Sequence, residues 1–126
     1  MISYLSISCE EAGRLLKEWT KKEPHFSMPN LWFFGAYDND RIVGAAQLIV
    51  IDDPFWNERW GLVENVFVTK EYRRKGIGKG LMKQLENQAI AVGCKFVKLT
   101  TRKKEGKKLY RSIGYEEDSS FRKELQ

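Results

Sequence analysis

Val66-Phe67-Val68-Thr69-Lys70-Glu71-Tyr72-Arg73-Arg74-Lys75-Gly76-Ile77-Gly78-Lys79-Gly80 sets a glycine-rich, basic turn between a β-forming run and an amphipathic segment. From Ile77 onward Leu81, Leu85 and Ala89 recur every four residues, while Met82, Leu85, Ala89 and Val92 step by three and four. That spacing predicts a helix with one broad apolar stripe, stopped by Gly93. The first N–H groups of a helix have no partner within it, so the turn directs several backbone donors at one place. An anion suits that place, and Arg73, Arg74, Lys75 and Lys79 add positive charge. Gly76 and Gly78 let the main chain approach a ligand without a Cβ in the way. A pyrophosphate fits this combination best.

Two familiar phosphate loops do not match. The Walker pattern closes on Gly-Lys-Ser/Thr, which the sequence lacks. The Rossmann pattern spaces its glycines differently from Gly76-x-Gly78-x-Gly80, and Lys98 stands roughly 20 residues on, where that pattern needs an acid.

Working outward, Ile2 to Ile7 reads as a first strand. Ser8 can cap a following helix that carries Glu10 and Glu11 in its first turn and Ala12, Leu15, Leu16 and Trp19 at helical spacing. This helix is expected to end near Lys22, before Pro24. Leu31 to Tyr37, Asp38-Asn39-Asp40 and Ile42 to Ile51 read as an antiparallel hairpin. Asp52-Asp53-Pro54 breaks its second strand, and Trp60 to Val68 supplies another. Beyond the central helix, Lys95 to Thr100 alternates as a strand, Glu105 to Ile113 reads as a short helix ended by Gly114, and Phe121 to Leu125 as a closing strand. The order β, α, β, β, β, α, β, α, β belongs to an α/β domain, and 126 residues fit one such domain over 1–126.

Charge is unevenly placed. Residues 1 to 60 hold six bases and nine acids, a net of −3, and residues 61 to 126 hold sixteen and eight, a net of +8. A basic half suits nucleic acid, an anionic membrane surface or a polyanionic small ligand. No window reaches the roughly 18 apolar residues of a membrane span, and no leader pattern opens the chain, so a cytoplasmic protein without a membrane partner is the expectation. Cys9 and Cys94 lack the spacing of a metal or redox pair and read as structural thiols. A lone His25 makes neither a zinc site nor a Ser-His-Asp triad, so no metal is expected.

Arg73-x-x-Gly76-x-Gly78 resembles the Arg/Gln-x-x-Gly-x-Gly/Ala signature of the GNAT superfamily of acyl-CoA-dependent N-acyltransferases. The resemblance extends through Leu62 to Val68 before it and through Lys108-Leu109-Tyr110-Arg111-Ser112-Ile113-Gly114-Tyr115 after it, and the element order agrees along almost the whole chain. It implies an α/β fold whose mixed, mostly antiparallel central sheet is splayed at the cofactor site, with helices on both faces. It further implies an N-acetyltransferase moving the acetyl group of acetyl-CoA to a primary amine by direct attack in a ternary complex.

Residue by residue, the resemblance gives Val66, Phe67 and Val68 backbone pairing with the pantetheine arm, their side chains being free to pack in the core. Arg73 belongs to the signature, and Arg74, Lys75, Gly76, Ile77, Gly78 and Lys79 would cradle the pyrophosphate; a solvated basic turn is the plain alternative. Tyr110 matches the position of a tyrosine that protonates the leaving thiolate, or else it packs on the sheet. Glu64 matches a carboxylate that serves some members as a base, or else it is an outward-facing strand residue. Amides near Asn65 and Val66 could polarise the thioester carbonyl if a β-bulge is present. The Asn that touches the cofactor in many relatives is absent from Arg102-Lys103-Lys104-Glu105-Gly106-Lys107-Lys108, where the bases could meet the 3′-phosphate of CoA or simply face water.

Acidic and aromatic residues of the N-terminal half, Glu23, Asp52, Asp53 and Glu58 with Phe26, Trp32, Phe55, Trp56 and Trp60, suit a small or peptidic cationic amine. Two rival readings remain. One is a non-catalytic CoA-binding module acting through protein contacts. The other is a nucleic-acid-binding domain, against which stands the lack of any recognition-helix or RNP-type pattern. Strands near the C-terminus could support a homodimer, as in many relatives.

Overall fold

The computed structural model describes residues 1–21, 30–53, 56–101, 103–118 and 122–125. Along the chain run β1 (Ile2–Ile7), α1 (Cys9–Thr20), β2 (Leu31–Asp38), β3 (Arg41–Asp53), β4 (Glu58–Val68), α2 (Ile77–Ala91), β5 (Val97–Leu99) and α3 (Lys104–Ser112), with one 3-10 turn at Lys70–Tyr72. The five strands form one sheet in the order β1-β2-β3-β4-β5. All pairs are antiparallel except β4 with β5, which the α2 crossover makes parallel.

Local chemistry accounts for the element ends. The Ser8 hydroxyl accepts from the Glu11 N–H at 3.1 Å, and Glu10 and Glu11 occupy the positive end of α1. The helix stops at Thr20 because Lys21 turns left-handed (φ 61°), one residue before the expected Lys22, which lies outside the described residues. A two-residue turn joins β2 to β3, pairing Asp38 with Arg41, and Asn39 adopts the left-handed region that asparagine tolerates (φ 54°).

The two faces of the sheet hold different cores. Phe34, Ala36, Val43, Leu48 and Val63 pack against Ile77, Leu81, Met82, Leu85 and Ala89, the stripe predicted for α2. On the opposite face α1 buries Ala12 and Leu15, beside Phe33 of β2. Tyr4 of β1 reaches over α2, and a Cβ at Gly80 would lie only 2.1 Å from its hydroxyl oxygen. That contact requires glycine at position 80. Burial of α2 and of the sheet face beneath it supplies most of the apolar area removed from water.

The expected closing strand is not formed. Phe121 lies outside the described residues, and Arg122 to Leu125 carry no strand pairing, Leu125 being 86% exposed. Four residues rich in charge have no apolar face to dock on a sheet edge. The β5 strand is also shorter than Lys95 to Thr100, because it follows β4 only from Gly61 to Val63 before the two diverge.

Candidate active site

The divergence of β4 and β5 creates the site. Val97, Lys98 and Leu99 pair with Gly61, Leu62 and Val63, and beyond Val63 the β5-facing edge of β4 has no strand partner among the described residues. Edge-facing N–H and C=O groups between Glu64 and Phe67 are therefore without a strand partner among the described residues, ready to add an extended ligand as a strand would be added. Directly downstream the chain enters the basic turn. Arg74 (φ 63°) and Gly76 (φ 80°) are both left-handed, and Gly76 caps α2 without any side chain occupying the cap. The first backbone bond of the helix runs from Gly80 N–H to Gly76 C=O at 3.1 Å, leaving the N–H groups of Ile77, Gly78 and Lys79 pointed outward. These donors, with exposed Arg74, Lys75 and Lys79 around them, form an anion cradle.

The turn is braced from behind. Tyr72 donates its hydroxyl to Asp38 at 2.5 Å, and Arg41 and Lys75 approach its ring at 5.8 and 5.3 Å. Asp38 also pairs with the amino group of Met1 at 3.5 Å, so its carboxyl is held below the usual range, chiefly by the Tyr72 hydroxyl. Arg73 folds back to donate to the Val68 carbonyl at 2.9 Å, with its guanidinium 5.9 Å from the Phe67 ring.

Within β4 the pairing register slips. Ala45 faces Phe67 and Gln47 faces Glu64, so Asn65 and Val66 together oppose Ala46. This is a β-bulge, and Asn65 takes the left-handed conformation (φ 56°) that lets it form. The Asn65 amide donates to Gln47 Oε1 at 2.8 Å, fixing the distortion. The extra residue changes which way the strand faces. Val66 and Val68 pack toward α2, while Phe67 turns to the α1 face and meets Trp19, their ring centroids 4.7 Å apart. Glu64, opposite Gln47, shares that face. Here a cavity of ≈ 230 Å³ opens between α1 and the bulge, bordered by Leu16, Trp19, Phe33, Gln47, Asn65 and Phe67 among others.

Tyr110 stands on α3, near Leu62 of β4 and Leu99 of β5. It is half-buried against the α2-side core, its ring 5.8 Å from that of Tyr115 in an edge contact, and burial pushes its hydroxyl pKa up. The hydroxyl therefore stays protonated at neutral pH. Tyr115 donates to Glu86 of α2 at 2.6 Å, which together with packing of Leu109 near Gly78 ties α3 to α2.

Comparison with known proteins decides what this arrangement is. The model of the acetyltransferase (GNAT) family matches residues 3–115. The chain belongs to the GNAT acetyltransferase family. Three solved structures share its fold. A predicted acetyltransferase from Clostridium acetobutylicum, solved with acetyl-CoA, is 21% identical with a TM-score of 0.79, over 98% of this chain and 95% of that one. Glucosamine-6-phosphate N-acetyltransferase from Arabidopsis thaliana is 14% identical with a TM-score of 0.79, over 100% and 99%. An aminoglycoside acetyltransferase from an uncultured soil metagenomic sample is 16% identical with a TM-score of 0.81, over 100% and 99%. Members of the GNAT family use acetyl-CoA, and the splayed edge, the bulge and the uncapped α2 terminus of this chain fit that molecule.

Against this GNAT geometry the sequence readings divide. The expected residues Glu64, Val66 to Val68 and Arg73 to Lys79 lie along one segment, and Tyr110 lies on α3 against the α2-side core. The side chain of Ile77 is 3% exposed in the core, so only its backbone faces the turn. A Cβ at Gly78 would lie 3.4 Å from Leu109 Cδ2, an ordinary packing distance, and nothing lies near a Cβ at Gly76. The described members of the acidic-aromatic set on β3 and β4, Asp52, Asp53, Glu58 and Trp60, sit together at the far end of those strands from the bulge. Asp52 binds Arg59 at 2.6 Å, Glu58 binds Lys95 at 2.9 Å, and Trp60 stacks on Phe96, all at the far end of β4. Trp32 packs on the α2-side core, and Glu23, His25, Phe26, Phe55 and Arg102 lie outside the described residues. Sequence reasoning missed the α1 cavity. Its signal was the Leu16 and Trp19 stripe, read only as a helix-packing face.

Among the described residues no helix is long and apolar enough to cross a membrane. Cys94 is half-buried against the core, and burial pushes its thiol pKa up, as expected of a structural thiol.

Proposed function

We propose that this GNAT enzyme transfers the acetyl group of acetyl-CoA to a small primary amine, cationic in solution, by direct attack within a ternary complex. The observation that carries the reading is the loss of β4's strand partner beyond Val63, immediately before the uncapped, basic N-terminus of α2. One edge offers backbone pairing to a pantetheine arm and the other a pyrophosphate cradle, in the order those groups have along CoA. Val66, Phe67 and Val68 supply the pairing. Gly76, Ile77, Gly78 and Lys79 supply N–H donors, while Arg74 and Lys75 add charge and Arg73 holds the turn against Val68.

Chemistry is assigned to Glu64, next to the bulge on β4, and to Tyr110 of α3. Glu64, directly or through water, takes a proton from the ammonium of the acceptor. The freed nitrogen lone pair forms a bond to the thioester carbon, and amides at Asn65 and Val66 stabilise the oxyanion. Collapse of that intermediate breaks the C–S bond, Tyr110 gives its proton to the departing thiolate, and the second proton on the nitrogen returns to the Tyr110 phenolate through water, leaving a neutral amide. The products are an N-acetylated amine and CoA.

The test is release of CoA thiol from acetyl-CoA by the purified chain, read over a panel of amines, with acetyl-CoA affinity measured separately by calorimetry. Tyr110→Phe is expected to lower kcat about 10–100-fold while the Kd for acetyl-CoA stays nearly constant. Binding of acetyl-CoA with no amine-dependent release would favour a non-catalytic CoA-binding module. A salt-sensitive complex with DNA and none with acetyl-CoA would favour the nucleic-acid reading.

A further inference from the structure

We infer that the acceptor is a monoamine carrying an apolar, preferably aromatic, body, seated in the cavity between α1 and the β4 bulge; the inference rests on the acetyl-transfer reading above. The cavity of ≈ 230 Å³ has room for roughly eight water-sized groups at about 30 Å³ each. Its walls are Leu15, Leu16 and Trp19 from α1, Phe33 from β2, Ala45 from β3 and Phe67 from β4. No charged side chain lines it among the described residues. Of its polar members, Gln47 and Asn65 already bond to each other at 2.8 Å. A second ammonium or a phosphate on the acceptor would thus find no charged partner among the described residues, which apolar walls strongly disfavour.

Charge is present only at one end. Glu64 faces the same side of the sheet directly opposite Gln47, beside the bulge where the amides of Asn65 and Val66 lie. A single amino group placed there meets the base, and its apolar remainder fills the space under α1. The tilted Trp19 and Phe67 rings, with Phe33 nearby, present the edges and faces that a flat ring packs against. Apolar surroundings also favour the neutral form of an amine, which is the nucleophilic one. Polycationic aminoglycosides and amino-sugar phosphates, the acceptors named for two fold relatives, carry charges this cavity does not match.

Thiol release from acetyl-CoA with phenethylamine and hexylamine, against spermidine, kanamycin and glucosamine-6-phosphate, tests the inference on the full chain. The expected kcat/KM for phenethylamine exceeds that of every multiply charged acceptor by at least about tenfold. Leu16→Asp is expected to cut that value about tenfold and to narrow the gap to spermidine, with acetyl-CoA affinity unchanged. Should that variant fail to bind acetyl-CoA, Trp19→Leu carries the test, with an expected rise of about fivefold in the KM for phenethylamine. A multiply charged amine preferred by the wild type, or a folded variant indifferent to phenethylamine, overturns the inference and leaves acetyl transfer standing. Acetyl-CoA binding without thiol release from any amine overturns the acetyl-transfer reading itself, and the inference with it.

Discussion

Tyr110 and Tyr115 stand five residues apart on and after one helix, yet they are in different chemical states. Burial raises the pKa of both, but only Tyr115 also donates to a carboxylate, Glu86. The Tyr110 hydroxyl, without such a bond among the described residues, keeps its proton for another acceptor. For Tyr115 the folded state binds the proton more tightly than the unfolded chain does. Its contribution is therefore complete below the ordinary tyrosine pKa of about 10 and declines as pH rises beyond it. Tyr115→Phe is expected to cost about 1 kcal/mol at pH 7 and to shrink part of the fall in Tm between about pH 9.5 and pH 12. Melts of both proteins across that range check it; an undiminished alkaline fall would count against the pairing. Both tyrosines were legible from their segment, but Glu86 was not, because it lies 29 residues away on another helix.

At the scale of elements, two glycines of α2 separate function from packing. Gly76 is left-handed with open space around it, whereas Gly80 is ordinary helix pressed under Tyr4. Gly76→Ala places a side chain in a conformation disfavoured by about 1–2 kcal/mol, and relaxation of the turn would spoil the anion cradle. The expected result is acetyl-CoA affinity weakened about 3–10-fold with a modest loss of Tm. Gly80→Ala instead overpacks the β1 contact, lowering stability by about 1–3 kcal/mol while the folded protein binds acetyl-CoA normally. Calorimetry and thermal melts on the two variants should rank them in opposite orders. The helix and its turn were readable because a period and a glycine spacing are local properties. The bulge was not, since it exists only as a mismatch between β3 and β4, strands whose hydrogen bonds the sequence cannot count.

Over the whole molecule the charge asymmetry has a purpose on one side only. Bases of the second half surround the α2 terminus in the open, at Arg74, Lys75 and Lys79. Four of the nine acids of the first half sit in ion pairs elsewhere: Glu11 with Arg14, Asp38 with the N-terminus, Asp52 with Arg59 and Glu58 with Lys95. Exposed charges are screened over a Debye length of about 8 Å at physiological salt, so acetyl-CoA affinity is expected to fall several-fold between about 50 and 500 mM NaCl. Titration calorimetry across that series checks it, and an affinity insensitive to salt would place the phosphates away from these bases.

The sequence by itself determined the element order from β1 to α3, the helix stripe, the phosphate turn and the family, because each is written in neighbours along the chain. Only the tertiary structure decided that β4 and β5 part beyond Val63, that Asp52 and Glu58 pair with Arg59 and Lys95, and that Leu16, Trp19, Phe33 and Phe67 enclose a cavity. Those outcomes depend on strand register and on which faces meet across the sheet, and a single extra residue at Asn65 and Val66 was enough to turn Phe67 from one face to the other.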